Sequence, residues 1–181
     1  MFAVIGVLLI TATLAACGAS TTTPSTSPTP SASADGSGSP RPKPTFWPTT
    51  TVEAAIALGA ADGDFTKMAS DLVAAVESND AVRVLQAMTD ALTFLEGNEK
   101  NIPRLQAYPA TQPVGDQLAA AYAQMIAGVR AVIAGMNAGN SEAVQAGFVD
   151  FVAGNQAYVA ISPALGDLAD QAIFMKKQLL R

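Results

Sequence analysis

Apolar residues recur every three or four positions from Thr49 to the end of the chain, and this spacing predicts α-helices. No stretch keeps up the alternation of apolar and polar side chains that is typical of a half-buried strand. Short turn signals separate the apolar segments, and short turns favour antiparallel neighbours. The pattern therefore predicts an all-α domain over residues 49–181, built as an up-and-down bundle of four or five helices.

The first two helices are predicted to begin near Thr51 and after a cap at Asp80. Asp62-Gly63-Asp64 interrupts the first apolar stripe, and a glycine in a helix interior costs about 1 kcal/mol. The segment is either one long helix or two helices, the second capped by Asp62 or Asp64. We favour one long helix.

The later helix ends are predicted from caps and prolines. Pro113 suits the first turn of a helix that ends near Gly139, and Ser141 is expected to cap the next helix. Ser162-Pro163 is typical of a cap followed by a first-turn proline, which predicts a separate last helix. Its acidic residues would then lie in its first turns and its basic residues in its last turn, where they complement the helix dipole: Asp167, Asp170, Lys176, Lys177 and Arg181.

An apolar run, Phe2 to Leu14, precedes the helical domain and has the length of a secretory signal core, too short to span a bilayer. It ends in Leu14-Ala15-Ala16-Cys17, and Cys17 is the only cysteine. This junction resembles the lipobox of the bacterial lipoprotein class. The resemblance implies that residues 1–16 are a signal peptide cut off before Cys17, and that Cys17 carries a diacylglyceryl group and an acylated N-terminus. It also implies an extracytoplasmic protein, lipid-anchored to a bacterial membrane.

One feature departs from that class, because Met1-Phe2-Ala3 lacks the basic residue that usually opens a signal peptide. Two alternatives stay open. An ordinary secretory peptide cut at the same place would leave a free thiol, and an uncleaved segment would stay as an apolar N-terminal helix.

Residues 17–48 are predicted to be a disordered tether. Of the 30 residues from Ala19 to Pro48, 20 are Ser, Thr or Pro, too polar to offset the entropy of ordering. Such a segment reaches about 30 Å as a coil and about 90 Å when extended. At its end, Trp47 is expected to pack on the first helix rather than to bind a ligand.

Charge and composition exclude several functions. The net charge of −5 argues against nucleic acid as a partner and against electrostatic adhesion to anionic lipid. The chain contains no histidine, which removes Ser-His-Asp triads, Cys-His pairs and histidine metal ligands. No cofactor, metal or catalytic residue is predicted. The segment Asp62-Gly63-Asp64 is not predicted to bind calcium, because the residues after it do not supply the further oxygen ligands of an EF-hand. The methionines are spaced as core residues rather than clustered as copper ligands.

Three functions remain. The leading prediction is a non-enzymatic lipoprotein whose bundle is an interaction or accessory module for an unknown envelope protein. The alternative is a small-ligand binder with an apolar pocket between helices, lined by Tyr122, Met125, Phe148, Phe151 and Tyr158. The third is an enzyme using two carboxylates, and the sequence argues against it because no Asp or Glu lies on a predicted seam.

Overall fold

The computed structural model describes residues 46–180, so the apolar run, the Cys17 junction and the tether up to residue 45 lie outside the described residues. Residues 46–180 contain α-helices and no β-strand, which confirms the predicted all-α class. Four long helices and one short helix follow in order: α1 (Thr49–Glu77), α2 (Ala81–Glu99), α3 (Ile102–Gln106), α4 (Gln112–Ala138) and α5 (Ser141–Leu179).

The four long helices form an up-and-down bundle in which α1 and α4 each lie between α2 and α5. Phe65 of α1 meets Phe94 of α2, with ring centroids 6.3 Å apart. On the next side of the bundle, Glu96 of α2 accepts a hydrogen bond from Arg130 of α4 at 2.7 Å. Short α3 packs on α1 and α4, and the Thr51 hydroxyl donates to its Arg104 carbonyl at 3.1 Å. Residues 78–80 join α1 to α2, residues 139–140 join α4 to α5, and α3 lies within the connection from α2 to α4.

Helix α1 is continuous through Asp62-Gly63-Asp64, as favoured from the sequence. Gly63 lies on the exposed face, where a missing side chain leaves no hole in the core. Neither aspartate caps a helix. Asp80 does cap α2, because its carboxylate accepts from the backbone N–H groups of Val82 and Arg83, which confirms that prediction.

The prediction of a separate last helix at Ser162-Pro163 is wrong, since α5 runs unbroken over 39 residues. Proline removes one backbone hydrogen bond and crowds the preceding turn, which costs about 3 kcal/mol in a helix interior. Tyr158 before Pro163 and Leu165 after it are both buried, and they hold the helix to the bundle across this weak point. The Ser162 hydroxyl bonds across to α1 instead of capping a new helix.

Two helix ends agree only in part with expectation. Gly139 adopts the left-handed conformation, φ 66°, that terminates α4. The cap of α5 is Asn140, whose side-chain oxygen accepts from the Ala143 N–H at 3.1 Å, and not the predicted Ser141. Pro113 lies in the first turn of α4, as predicted.

Glycines let the backbones of α4 and α5 come into direct contact. A Cβ at Gly128 would lie 2.5 Å from the Phe151 nitrogen, and one at Gly147 would lie 2.7 Å from the Gly128 oxygen. One heptad further along α5, a Cβ at Gly154 would lie 2.8 Å from the Met125 nitrogen. No side chain fits at these positions, so the register of α4 against α5 is set by where the glycines are.

Candidate functional site

A polar cluster lies where α1 faces α5, centred on the carboxylate of Asp62. The Tyr158 hydroxyl donates to Asp62 Oδ1 at 2.8 Å, and the Ser162 hydroxyl donates to the same oxygen at 2.9 Å. These are two of the few hydrogen bonds between side chains of different helices, and both join residues about a hundred positions apart in the chain. A carboxylate that receives two donors from one partner helix holds that helix in place.

Aromatic rings surround this cluster on the core side. Phe65 stacks on Tyr158 with centroids 3.9 Å apart, and Tyr122 meets the Tyr158 ring edge-on at 6.0 Å. Tyr122 and Tyr158 are almost fully buried. The residues thus form one unit of three rings and one carboxylate, drawn from α1, α4 and α5.

Burial keeps both tyrosines protonated. Burial, together with the nearby Asp62 charge, raises the pKa of Tyr122 to about 12. Burial first, and then the hydrogen bond to Asp62, raises the pKa of Tyr158 still further above its ordinary value. At neutral pH each phenol is therefore neutral, and Tyr158 acts as a hydrogen-bond donor rather than as a base.

The hydrogen bonds of this cluster join α1 to α5. Asp62 is its single carboxylate, whereas acid–base hydrolysis uses two carboxyl groups facing one cleft. Among residues 46–180, no group of three or more Asp, Glu, His or Cys side chains is close enough to hold a metal ion. The cluster is suited to fixing the register of α5 against α1.

The five residues of the predicted ligand pocket lie on α4 and α5. Phe148 is half-buried. The other four belong to the packed core: Tyr122, Met125, Phe151 and Tyr158. The contact of Gly154 with Met125 and that of Gly128 with Phe151 show how closely the helices approach here. A ligand pocket at these residues stays a prediction.

Beside this seam, Asn155 carries a buried side-chain oxygen that accepts no hydrogen bond from the described residues. Asn155 lies four residues after Phe151 and three before Tyr158, and so on the same face of α5 as these two core residues. It is half-buried on α5, one turn before Tyr158. Since no donor among the described residues reaches this oxygen, Asn155 does not fix the register of α5 through a hydrogen bond to it.

An open groove of about 520 Å³ lies between the C-terminal half of α1 and the facing side of α2. Charged side chains rim it and apolar side chains form its floor: Asp64, Lys67, Asp71, Arg83 and Asp90 at the rim, Met68, Ala87 and Phe94 below. Lys67 pairs with Asp71 at 2.5 Å, although both side chains are mostly exposed. Exposed ion pairs of this kind contribute little to the stability of the fold. None of the residues that line the groove is a buried polar side chain that would select a ligand.

The outer face of α5 carries exposed apolar residues that the sequence patterns did not single out. Phe174 is 62% exposed and Ile173 is 39% exposed, and Asp170 and Lys177 lie on the same face. The signal was present in the sequence, because positions 170, 173, 174 and 177 are spaced as one helix face. Asp167 and Asp170 were expected in the first turns of a separate last helix, whereas both lie well inside α5.

Among residues 46–180, α4 is the one helix long and apolar enough to cross a membrane by length and composition. Half of its most apolar stretch is buried inside the bundle. Its inward residues supply the core: Leu118, Tyr122, Met125, Val129 and Val132 are all buried. Packing of α4 against the other helices therefore accounts for its apolar composition.

Fold and site together define an all-α bundle held in register by one polar cluster and a glycine seam. No protein-family model, no curated protein and no solved structure matches this chain.

Proposed function

We propose that the protein is an extracytoplasmic lipoprotein, anchored to a bacterial membrane through Cys17, whose helical bundle is a non-enzymatic interaction or accessory module. One observation carries the proposal: the only cysteine of the chain follows Leu14-Ala15-Ala16 at the end of an apolar run. Small residues before the cysteine give a signal peptidase access, and a lone cysteine has no intramolecular disulfide to form.

The remainder of the chain supports this role in physical terms. A polar, proline-rich tether separates the cysteine from the first helix. Each buried CH₂ of an acyl chain contributes about 0.8 kcal/mol to membrane binding, and more than one chain makes the anchoring durable. A net charge of −5 gives the chain as a whole no general attraction to anionic lipid. The lipid is then the membrane attachment, and the bundle is held at a distance from it.

The non-enzymatic part of the proposal rests on the side chains available. The chain has no histidine, and its one thiol is committed to lipid under this proposal. The polar cluster between α1 and α5 uses Asp62, the neutral phenol of Tyr158 and the Ser162 hydroxyl to join the two helices. A module of this composition offers surfaces to partners rather than reactive groups to a substrate.

The test is intact mass and membrane fractionation of the protein made in a bacterial host, beside Cys17→Ser. We expect the parent chain in the membrane fraction with a lipid-sized mass increment, and Cys17→Ser without that increment. A chain combining Cys17→Ser with Ser20→Cys is the matched control, since it keeps one thiol but moves it out of the lipobox. That control should also lack the lipid.

Two results would overturn the proposal. A soluble, unmodified parent chain would mean a secreted protein with a free thiol at Cys17. A membrane-bound parent chain of unmodified mass, matched by Cys17→Ser, would mean that the apolar run stays attached as a helix.

A further inference from the structure

Four side chains form a continuous outer face near the end of α5, here named the α5 stripe: Asp170, Ile173, Phe174 and Lys177. Steps of three, one and three residues put them side by side on the helix surface. All four are exposed, while Ala172 and Met175 between them face the bundle. The stripe is therefore free of the packing that holds α5 in the bundle.

Neither charge of the stripe is in an ion pair within the described part of the chain, although Lys177 lies in the last turn of α5, where it complements the helix dipole. Over residues 46–180 the ion pairs are Lys67 with Asp71 and Glu96 with Arg130, and neither Asp170 nor Lys177 takes part. Asp170 lies in the body of α5, too far from its first turn to interact with the positive end of the helix dipole. Single exposed apolar residues are common on protein surfaces, but here an apolar pair is bracketed by opposite charges.

The order of the stripe is self-complementary. A two-fold axis between Ile173 and Phe174 relates two antiparallel copies so that each Asp170 faces the Lys177 of the other copy. The same axis places Ile173 of each copy against Phe174 of the other. A parallel arrangement would instead oppose like charges at both ends, which is destabilising. Only the antiparallel, isologous arrangement satisfies both the apolar pair and the charges.

We propose that the α5 stripe binds the same stripe of a second copy of this chain, antiparallel, with two Asp170–Lys177 pairs around a central Ile173–Phe174 contact. The overlap covers only the last turns of each α5, so the interface belongs to the small, weak class. The proposal does not depend on the lipid anchor. Where copies are held on one membrane, their raised local concentration favours the same contact.

The test is sedimentation equilibrium of the full chain carrying Cys17→Ser, which cannot be lipidated, over about 1 μM to about 1 mM. This background is the same in every sample, so self-association through the apolar N-terminal run is common to all of them. Asp170→Lys alone and Lys177→Asp alone each place like charges opposite one another at both ends. We expect each to weaken self-association at least about tenfold.

The decisive sample is an equimolar mixture of the Asp170→Lys chain and the Lys177→Asp chain. In that mixture every opposed pair is again of opposite charge, so we expect association to return to the parent level. Asp150→Lys on α5 and Lys100→Asp at the end of α2 are matched controls, because they make the same charge changes at exposed positions off the stripe. Both should associate like the parent chain, and circular dichroism checks that all variants keep their helicity.

Three outcomes would overturn the proposal. The parent chain could stay monomeric throughout the range, the single variants could associate as well as the parent, or the mixture could fail to restore association. Vesicles containing anionic phosphatidylglycerol supply a further arm. A monomeric parent chain that binds them, more strongly with Asp170→Lys and less with Lys177→Asp, would assign the stripe to a lipid surface instead.

Discussion

Asp62 shows how a single residue can have one role in the sequence and another in the fold. In the sequence it sits beside Gly63 and resembles a helix cap or a bend. In the structure its backbone is ordinary helix, and its carboxylate accepts from Tyr158 and Ser162, which are on α5. Spacing along α1 carries no information about donors about a hundred residues away, so this role was not predictable.

The two buried tyrosines predict a loss of stability at alkaline pH. The pKa of Tyr122 is about 12 in the folded chain and 10.0 in the unfolded chain, so above about pH 10 the unfolded state binds fewer protons. The free energy of unfolding should be steady up to about pH 9. Above pH 10 it should fall by about 1.4 kcal/mol per pH unit for each such tyrosine.

Denaturant unfolding at a series of pH values measures this decline. Tyr122→Phe removes one of the two groups, so its free energy of unfolding should fall less steeply than that of the parent chain between about pH 10 and pH 12. An equal decline in both chains would show that Tyr122 does not retain its proton in the folded state.

At the scale of the helices, α4 and α5 come into close backbone contact at glycines. A Cβ at Gly128, Gly147 or Gly154 would lie within 2.8 Å of a backbone atom of the facing helix. The glycines at 128 and 135 and at 147 and 154 are seven residues apart, which is the spacing of a helix seam. The seven-residue spacing of these glycines could be seen in the sequence. Glycine lowers the stability of an isolated helix, so its presence here is explained only by the partner helix that packs against it.

Replacing Gly128 with alanine should destabilise the bundle by about 3 kcal/mol, because the new methyl group meets backbone atoms that cannot rotate away. Gly63→Ala is the matched control. Gly63 lies within α1 with nothing near its missing Cβ, so alanine should stabilise the chain by about 0.5–1 kcal/mol through helix propensity. Thermal and denaturant unfolding measure both changes, and a loss of stability in Gly63→Ala equal to that in Gly128→Ala would contradict the close approach.

At the scale of the whole molecule, the segment before α1 is part of the bundle. Trp47 is the only tryptophan of the chain and is 7% exposed. It was expected to pack on the first helix, and it belongs to the same core as Val52 while its ring lies 6.4 Å from that of Tyr108. The domain therefore begins before its first helical residue.

Trp47→Ala should lower the free energy of unfolding by about 3 kcal/mol, since it empties a large buried volume. In the parent chain, Trp47 fluorescence and far-ultraviolet circular dichroism should report one coincident unfolding transition. The neighbouring Phe46→Ala is the control, because Phe46 is 46% exposed and should change stability by no more than about 0.5 kcal/mol. A fluorescence transition well before the loss of helicity would mean that Trp47 is not held by the core.

Sequence alone determined the properties that repeat locally along the chain. Apolar spacing determined the helical class, Asp80, Pro113 and Gly139 determined helix ends, and the four-residue context of Cys17 carries the lipoprotein hypothesis. Tertiary structure alone decided that α5 continues through Pro163, that Asp62 joins α5, and that the α5 stripe is left uncovered. The physical reason is the range of the forces involved. Caps and periodicity act within a few residues, whereas the continuity of a weakened helix and the exposure of its outer face depend on what the rest of the chain packs against it.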